Sequence, residues 1–238
     1  MKKSLIALSF SICLLVLAMN LVMAHNPRVV YDKANSINNP IQIENPEVSQ
    51  AFYGQLAAYP NYYVIDSKEN FDIYVSLLIP YFESADNPST SFNAQIYSFV
   101  KNETIISLYG NDFEWQKMYE PFAGDTYLEG PNAGSSNLPA GKYLITVSNS
   151  ANKGTYVLVV GEKESWSPKE ILNTIVLLPK LKKEFFWQPA YSAYFNLFGL
   201  FMLIFLIVVI AIIFLIVGCI RKRCCKVKVK RKVKQKKN

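Results

Sequence analysis

The chain has 238 residues, of which 51% are apolar and 18% are charged, and this composition excludes an intrinsically disordered protein. The net charge is +7, but the charges are unevenly placed. Residues 25–196 hold twelve basic and all eighteen acidic side chains, whereas residues 221–238 hold eleven basic side chains and no acidic one. This separation excludes a uniformly basic nucleic-acid-binding protein, and the two regions are expected to face different surroundings.

The first 24 residues have the form of a secretory signal peptide. Lys2 and Lys3 precede a short apolar run, and Ala24 ends a segment with small or tolerated residues at the cleavage positions. We predict cleavage after Ala24, with an uncleaved signal anchor as the alternative. Cleavage makes His25 the first residue of the mature protein.

The exported region is predicted to be mainly β. Residues 25–47 are rich in Asn and Pro and predict an extended lead-in without regular structure. Residues 48–163 contain short runs in which apolar and polar side chains alternate, which is the pattern of half-buried strands. The predicted strands are Val48–Leu56, Tyr62–Asp66, Phe71–Pro80, Phe92–Val100, Thr104–Tyr109, Lys142–Asn149 and Thr155–Val160.

Polar turns of hairpin length join these runs, so that the strands are expected to form antiparallel sheets. Seven or eight strands without a helical segment between them predict a sandwich of two sheets. The segment Asn111–Asn137 is less regular and contains Trp115, Tyr119 and Phe122. We predict a long loop with one edge strand there, and this loop is the one best suited by length and aromatic content to carry a function.

Four segments resemble the bacterial pre-peptidase C-terminal domain. Ser49–Leu56 with Asn61–Ile65 resembles the strand that leads to the family's "DYY" segment, and Leu138–Val147 with Gly154–Val160 resembles its final hairpin. The resemblance covers residues 48–161. It implies a jelly-roll-like β-sandwich without catalytic residues. Some members of the family bind collagen or polysaccharide and some bind calcium, so the resemblance also implies a binding role.

A juxtamembrane stalk is predicted for residues 164–196. Ser167, Pro168 and Glu170 have the arrangement that starts a helix, and a short amphipathic helix is expected to run from Pro168 to Leu178, where Pro179 interrupts it. Such a helix can lie against the sandwich, the membrane surface or a partner helix.

Residues 197–220 predict one transmembrane helix. They carry no charge and rise about 36 Å as a helix, which is enough to cross a hydrocarbon core of about 30 Å. Because cytoplasmic flanks carry the excess of Lys and Arg, the basic tail of residues 221–238 is expected in the cytoplasm, next to anionic lipids, and the sandwich outside. The predicted membrane-interface residues are Trp187, Tyr191, Tyr194, Arg221, Lys222 and Arg223.

The sequence does not gather the residue types of a catalytic site, and we predict that the protein is not an enzyme. His25 is the single histidine. At a processed N-terminus its ring and the α-amino group can chelate copper, which makes a copper-binding or redox protein the alternative. Calcium could be bound by carboxylates near turns, such as Asp66, Glu69 and Asp72, or Asp112 and Glu114, although turn formation explains them better.

The prediction is therefore a non-enzymatic, single-pass membrane protein that displays a β-sandwich as a binding or accessory module. The expected partners are a second membrane protein, or an extracytoplasmic protein or polysaccharide. A purely structural envelope component is the remaining alternative. Nucleic acid is disfavoured, because the basic tail starts at the bilayer surface and has no aromatic residue on which bases could stack.

Overall fold

The computed structural model describes residues 25–82, 91–165 and 167–235, so that the predicted signal peptide lies outside the described residues. The strands are β1 (Asn26–Val29), β2 (Ile41–Gln42), β3 (Gln50–Ala57), β4 (Asn61–Ser67), β5 (Phe71–Pro80), β6 (Asn93–Ser98), β7 (Glu103–Leu108), β8 (Gln116–Glu120), β9 (Asp125–Leu138), β10 (Gly141–Ser148) and β11 (Lys153–Val160). The α-helices are α1 (Pro168–Glu184) and α2 (Leu197–Gln235), and 3₁₀ turns lie at Gly110–Asp112 and Ala190–Tyr194.

The strands form two sheets, which confirms the predicted β-sandwich. One sheet has six strands in the order β1-β3-β11-β5-β9-β8, and the other has five in the order β2-β4-β10-β6-β7. Neighbouring strands are antiparallel except for β1 with β3 and β2 with β4, which are parallel. The sandwich, α1 and the following turn belong to one compact unit that ends at Asn196, and α2 belongs to a second unit.

The core lies between the sheets and follows the period-two pattern of the sequence. On β5, Ile73, Val75 and Leu77 point into it, and on β10 Tyr143 and Ile145 do the same. All five side chains are almost completely buried, and burying an apolar side chain of this size contributes about 1.5 to 3 kcal/mol. The domain therefore has a sufficient apolar core without a disulfide bond.

The lead-in is more ordered than expected, because it contributes an edge strand to each sheet. β1 pairs with β3 and β2 pairs with β4. These pairs are parallel and join strands far apart in sequence, so local alternation could not reveal them.

The prediction for Asn111–Asn137 was wrong in part. β8 is the expected edge strand, but β9 is a 14-residue strand between β5 and β8. Gly130, Pro131 and Gly134 weaken the sequence signal of this strand, and its register with β5 shifts twice. Gly130 is required there because the Trp115 ring would come within 2.4 Å of an added Cβ. Trp115 thus packs against the core instead of projecting from a loop.

The stalk helix is also longer than expected, since it continues through Pro179 to Glu184. Proline removes one helical hydrogen bond and costs about 3 kcal/mol inside a helix. Beyond the proline, Leu181 and the following Phe185 and Phe186 are buried against the six-stranded sheet. This tertiary burial holds the last turns of α1 in place.

α2 contains the apolar segment that the sequence predicted to span a membrane. The 22 residues Leu197–Gly218 have a mean hydropathy of 3.7, and the helix is long and apolar enough to cross a bilayer. The helical backbone continues through part of the basic tail to Gln235.

Candidate functional site

The stalk helix α1 packs on the outer face of the six-stranded sheet, which is the first of the three placements that the sequence left open. Phe185 meets the Tyr53 ring edge-on at a centroid distance of 5.1 Å, and Phe186 meets the Tyr127 ring edge-on at 5.6 Å. The buried cluster comprises Val29, Ala51, Tyr53, Leu78, Tyr127, Val157, Val159, Leu181, Phe185 and Phe186. We call this contact the stalk interface.

The start of α1 has the predicted cap and an ion pair to the sandwich. The backbone N–H of Glu170 donates to the Ser167 hydroxyl at 3.2 Å, and Pro168 occupies the first helical turn. Arg28 on β1 donates two hydrogen bonds to the Glu170 carboxylate, at 2.8 and 3.0 Å. Bidentate pairing of this kind fixes orientation as well as distance.

The end of α1 is joined to the lead-in by more exposed contacts. Lys180 Nζ lies 2.7 Å from the Asp32 carboxylate, and the Tyr31 hydroxyl donates to Glu184 at 2.9 Å. Solvent screens charge pairs at such exposed positions, so that they contribute little. These contacts help to align α1, but they add little to its stability.

A buried charge cluster lies at the stalk interface, near the end of α1. Lys182 Nζ of α1 is 2.7 Å from Asp125 Oδ1 and donates to the Gly124 carbonyl at 3.2 Å. Both paired side chains are only 2% exposed. Nearby, the Glu120 carboxylate accepts the backbone N–H groups of Phe122 and Ala123 at 2.7 and 2.8 Å. Asp125 and Lys182 are therefore enclosed at this interface, and the half-buried Glu120 carboxylate lies beside them.

Burial controls protonation in this cluster. It raises the pKa of Asp125 to about 6, although Lys182 acts in the opposite direction, and it raises the pKa of Glu120 as well. The hydroxyls of Tyr53 and Tyr127 lie 3.3 Å apart beside the cluster, and burial raises the pKa of both phenols. The cluster can take up a proton near mildly acidic pH, and its phenols stay neutral at physiological pH.

His25, the predicted copper ligand, lies at the start of β1. Its Nδ1 is 2.5 Å from the Ser49 hydroxyl, and burial lowers the pKa of the ring to about 4. Within residues 25–82, 91–165 and 167–235, no three His, Cys, Asp or Glu side chains gather as a metal site. Copper binding by His25 stays a prediction.

The carboxylates considered for calcium make hydrogen bonds that fit the turn interpretation. Asp72 accepts the backbone N–H of Asn137 at 2.8 Å, and its own N–H donates to Glu47 at 3.0 Å. Ser67 and Glu69 close a tight turn through the Ser67 hydroxyl. Calcium binding likewise stays a prediction.

The outer face of the five-stranded sheet carries no helix among the described residues, and we call it the open face. Tyr62, Gln95, Tyr97, Leu144 and Thr146 alternate with inward core residues and so point outward, and Phe99 and Tyr109 extend the same face. The Tyr97 and Phe99 rings meet edge-on at 5.2 Å, and Gln95 Nε2 donates to the Tyr109 hydroxyl at 3.4 Å. The face combines exposed aromatic rings with hydrogen-bonding groups.

A groove of about 410 Å³ separates the start of α1 from β1 and β2. Its walls include Arg28, Lys33, Glu44 and Lys169, so charges of both signs line it. The ion pair between Arg28 and Glu170 crosses this region and holds it together. The groove is therefore bounded on one side by the stalk helix.

The predicted membrane-interface residues fall into two groups. Trp187, Tyr191 and Tyr194 directly follow α1 and are exposed. Arg221, Lys222 and Arg223 lie on the helical backbone of α2, and their side chains are outside what the structure describes.

The buried charge cluster was not predicted from the sequence. Lys182 follows Leu178 by four residues and so lies on the same side of the helix. The predicted helix ends before Lys182, so this relation could not be recognised. For Glu120 and Asp125 the sequence offers no comparable signal, since both flank a turn of ordinary polarity.

No protein-family model matches this chain, and no curated protein matches its sequence. Among solved structures, it is similar to the pre-peptidase C-terminal domain of a Bacillus anthracis collagenase, with 11% identity, 54% of this chain and 97% of that chain covered, and a TM-score of 0.32. It is also similar to the Yersinia pseudotuberculosis-derived mitogen, with 10% identity, coverage of 51% and 92%, and a TM-score of 0.32.

A third similar structure is CorA of Methylomicrobium album BG8, a surface-associated copper-binding protein. It has 10% identity, coverage of 59% and 99%, and a TM-score of 0.27. The family that the sequence resembles is thus represented among the structural neighbours. Identities and scores this low transfer neither an activity nor a ligand to this chain.

Proposed function

We propose that the protein is a non-enzymatic, single-pass membrane protein that binds an extracytoplasmic protein or polysaccharide through the open face. In this proposal α2 anchors the chain, the sandwich lies outside the cytoplasm, and the basic tail meets anionic lipids on the cytoplasmic side. The 22-residue apolar segment and the eleven basic residues that follow position 220 support this topology.

The observation that carries the proposal is the unequal covering of the two sheets. α1 buries part of the outer face of the six-stranded sheet, including Tyr53 and Tyr127. On the open face, Phe99 and Tyr109 are each about half exposed, at 52% and 49%. Exposed aromatic rings with neighbouring amide and hydroxyl groups are the composition that recognition surfaces favour.

The stalk interface joins α1 to the sandwich along the length of the helix. Ion pairs at the start of α1 and near its end join it to β1 and β9, and apolar burial continues to Phe186. The sandwich, α1 and the turn that follows it therefore form one compact unit, which ends at Asn196.

Site-specific photocrosslinking in native membranes tests the proposal. If the partner is a protein, a photoreactive phenylalanine analogue at Tyr97 is expected to give a defined adduct. If the partner is a polysaccharide, the protein is expected to migrate more slowly on a gel, and glycosidase treatment is expected to reverse this shift. The same analogue at Tyr59, an exposed tyrosine between β3 and β4, is the matched control. Equal adducts at both positions, or none at Tyr97 in cells that express the protein naturally, contradict a role for the open face.

An exposed apolar pair on α1 favours a second partner, a neighbouring membrane protein. Leu172 and Val176 are four residues apart on the outward side of the helix and are 64% and 71% exposed. A partner helix could pack on this pair beside the membrane. A photocrosslinker at Val176 tests this contact separately, since an adduct there that persists when the open face is altered identifies a partner of the stalk.

A further inference from the structure

Trp187 has a backbone conformation that glycine normally supplies. The Gln188 N–H donates to the Lys182 carbonyl at 2.7 Å and so closes the loop that follows the end of α1. The residue before Gln188 then adopts a left-handed conformation, and Trp187 has φ of 52°. A tryptophan in this conformation is strained relative to glycine, because its Cβ approaches the backbone closely. The ring is nevertheless 72% exposed, so the strain is not offset by burial.

The Trp187 ring lies at one end of the sandwich. It stacks on Phe82 with a centroid distance of 4.9 Å, and Phe82 follows the end of β5. The adjacent Tyr81 N–H donates to the Thr126 carbonyl at 2.9 Å, and Thr126 pairs with Tyr119 of the edge strand β8. Trp187 and Tyr119 therefore belong to the same end of the six-stranded sheet, and Tyr119 is 61% exposed.

The chain reaches this same end immediately before the apolar helix. Asn196 Nδ2 donates to the Ala123 carbonyl at 2.7 Å. A Cβ on Gly124 would lie 3.1 Å from Asn196 Cβ and 3.5 Å from the Tyr119 hydroxyl. Asn196 and Tyr119 therefore both lie next to Gly124. Tyr191, Tyr194 and Phe195 occupy the preceding turn and are all exposed.

We propose that the exposed rings of Tyr119, Trp187, Tyr191, Tyr194 and Phe195 form one surface of the folded unit that lies in the headgroup region of the bilayer. Aromatic rings with a polar edge are favoured at that depth. The partner is lipid because the surface ends at Asn196, and the next residue begins the apolar helix. The inference rests on membrane anchoring by α2, but it does not depend on the open face.

The surface differs from an ordinary aromatic belt because part of it comes from the sandwich. An ordinary aromatic belt consists of residues that lie close to the transmembrane helix in sequence. Tyr119 is far from Leu197 in sequence, yet it joins the surface through β8 and β9. Its presence there predicts that the edge of the sandwich rests on the membrane.

Quenching by brominated lipid tests the surface on the full-length chain. The protein is reconstituted in phosphatidylcholine vesicles, with or without bromine on the upper acyl carbons, in a Trp166→Phe background. Trp115 remains as an internal reference that packs against the core. We expect brominated lipid to lower the tryptophan fluorescence of the Trp166→Phe protein about twofold. When Trp187→Gly is added, we expect brominated lipid to leave the remaining fluorescence almost unchanged.

Trp187→Gly also separates a lipid contact from a structural role. Glycine removes the strain at φ of 52°, so the unfolding temperature measured by near-ultraviolet circular dichroism is expected to stay within a few degrees of wild type. Loss of quenching without loss of stability supports a membrane contact. Equal quenching with and without the Trp187 ring overturns it.

Two further tryptophan probes complete the test in the Trp166→Phe, Trp187→Gly background. Tyr119→Trp is expected to restore quenching, because position 119 lies on the proposed surface. Phe99→Trp on the open face is expected to stay unquenched. Absence of quenching at position 119 overturns the extension of the surface to the sandwich. Quenching at position 99 instead contradicts the proposed function, because the open face would then be covered by lipid.

Discussion

The two outer faces of the sandwich are built from the same alternating pattern but differ in the exposure of their aromatic side chains. Tyr53 and Tyr127 on the six-stranded sheet are buried beneath the stalk helix, whereas Phe99 and Tyr109 on the five-stranded sheet remain about half exposed. Among the described residues, a helix covers one of these two faces. The covered face joins the sandwich to the stalk, and the open face keeps exposed aromatic rings, which we propose bind a partner.

The largest effect is expected from removing an aromatic anchor of the covered face. Phe185→Ala should lower the free energy of unfolding by about 3 to 5 kcal/mol, because Phe185 is buried between Tyr31, Tyr53 and Phe186. Leu172→Ala on the exposed side of the same helix is the control, with an expected change below about 0.5 kcal/mol. Urea unfolding of the detergent-solubilised chain measures both. If Phe185→Ala lost as little stability as Leu172→Ala, the stalk interface would not contribute to the stability of the fold.

The buried charge pair should give the next largest effect. Lys182→Met leaves the Asp125 carboxyl buried without its partner and is expected to cost about 3 kcal/mol. Replacing both residues, as Lys182→Met with Asp125→Leu, should recover most of this loss because no unpaired charge remains. A double-mutant cycle in urea gives the coupling directly. Additive losses in the cycle would contradict a specific pair.

A smaller effect is expected from pH, with opposite signs inside and outside the interface. Burial raises the pKa of Asp125 to about 6 in the folded protein. Between its ordinary pKa and this value the folded state holds a proton that the unfolded state has lost, so this group's contribution to stability falls as pH rises through that window. On acidification from about pH 7 to about pH 5, wild type should therefore gain stability relative to Asp125→Asn.

Asp32 provides the contrast, because its hydrogen bond to Lys180 lowers the pKa of its carboxyl. Its contribution is present at neutral pH and is lost as pH falls through the lowered pKa. Wild type should therefore lose stability relative to Asp32→Asn when the solution becomes strongly acidic. Thermal unfolding of the three proteins across pH measures both trends, and parallel curves would rule out proton binding at the buried cluster.

The smallest effect on stability is expected on the open face. Phe99→Ser removes a half-exposed ring and should change the free energy of unfolding by less than about 0.5 kcal/mol, while it weakens partner binding. Val75→Ser on a core position of β5 is the destabilising comparison. A large loss of stability in Phe99→Ser would show that this ring belongs to the fold and not to a binding surface.

Period-two alternation was sufficient to identify most of the sandwich strands. Phe71–Pro80 was predicted with the bounds that the structure shows, because one face of that run is wholly apolar. β9 escaped recognition because its glycines and proline interrupt the pattern, and its place is set by pairing with β5. The parallel edge strands β1 and β2 were also not predicted, because they form by pairing with β3 and β4 and not through a local alternating pattern.

The stalk shows where local rules stop being sufficient. Ser167 and Glu170 correctly predicted the start of α1 through short-range capping. Its end was misplaced at Pro179, because the local cost of proline is offset by burial of Leu181 and Phe185 against a sheet whose strands include β1 and β3, far earlier in the chain. The charge pair between Lys182 and Asp125 depends on the same long-range contact and was missed with it.

The sequence by itself determined which part of the chain is apolar enough to span a bilayer, where the basic tail begins and that strands dominate between residues 48 and 163, because hydropathy, charge and alternation are local properties. Only the tertiary structure decided which face of the sandwich is covered, that the stalk is part of the folded unit and that Tyr119 meets the residues before the apolar helix. Those features arise from contacts between distant segments, which no local pattern specifies.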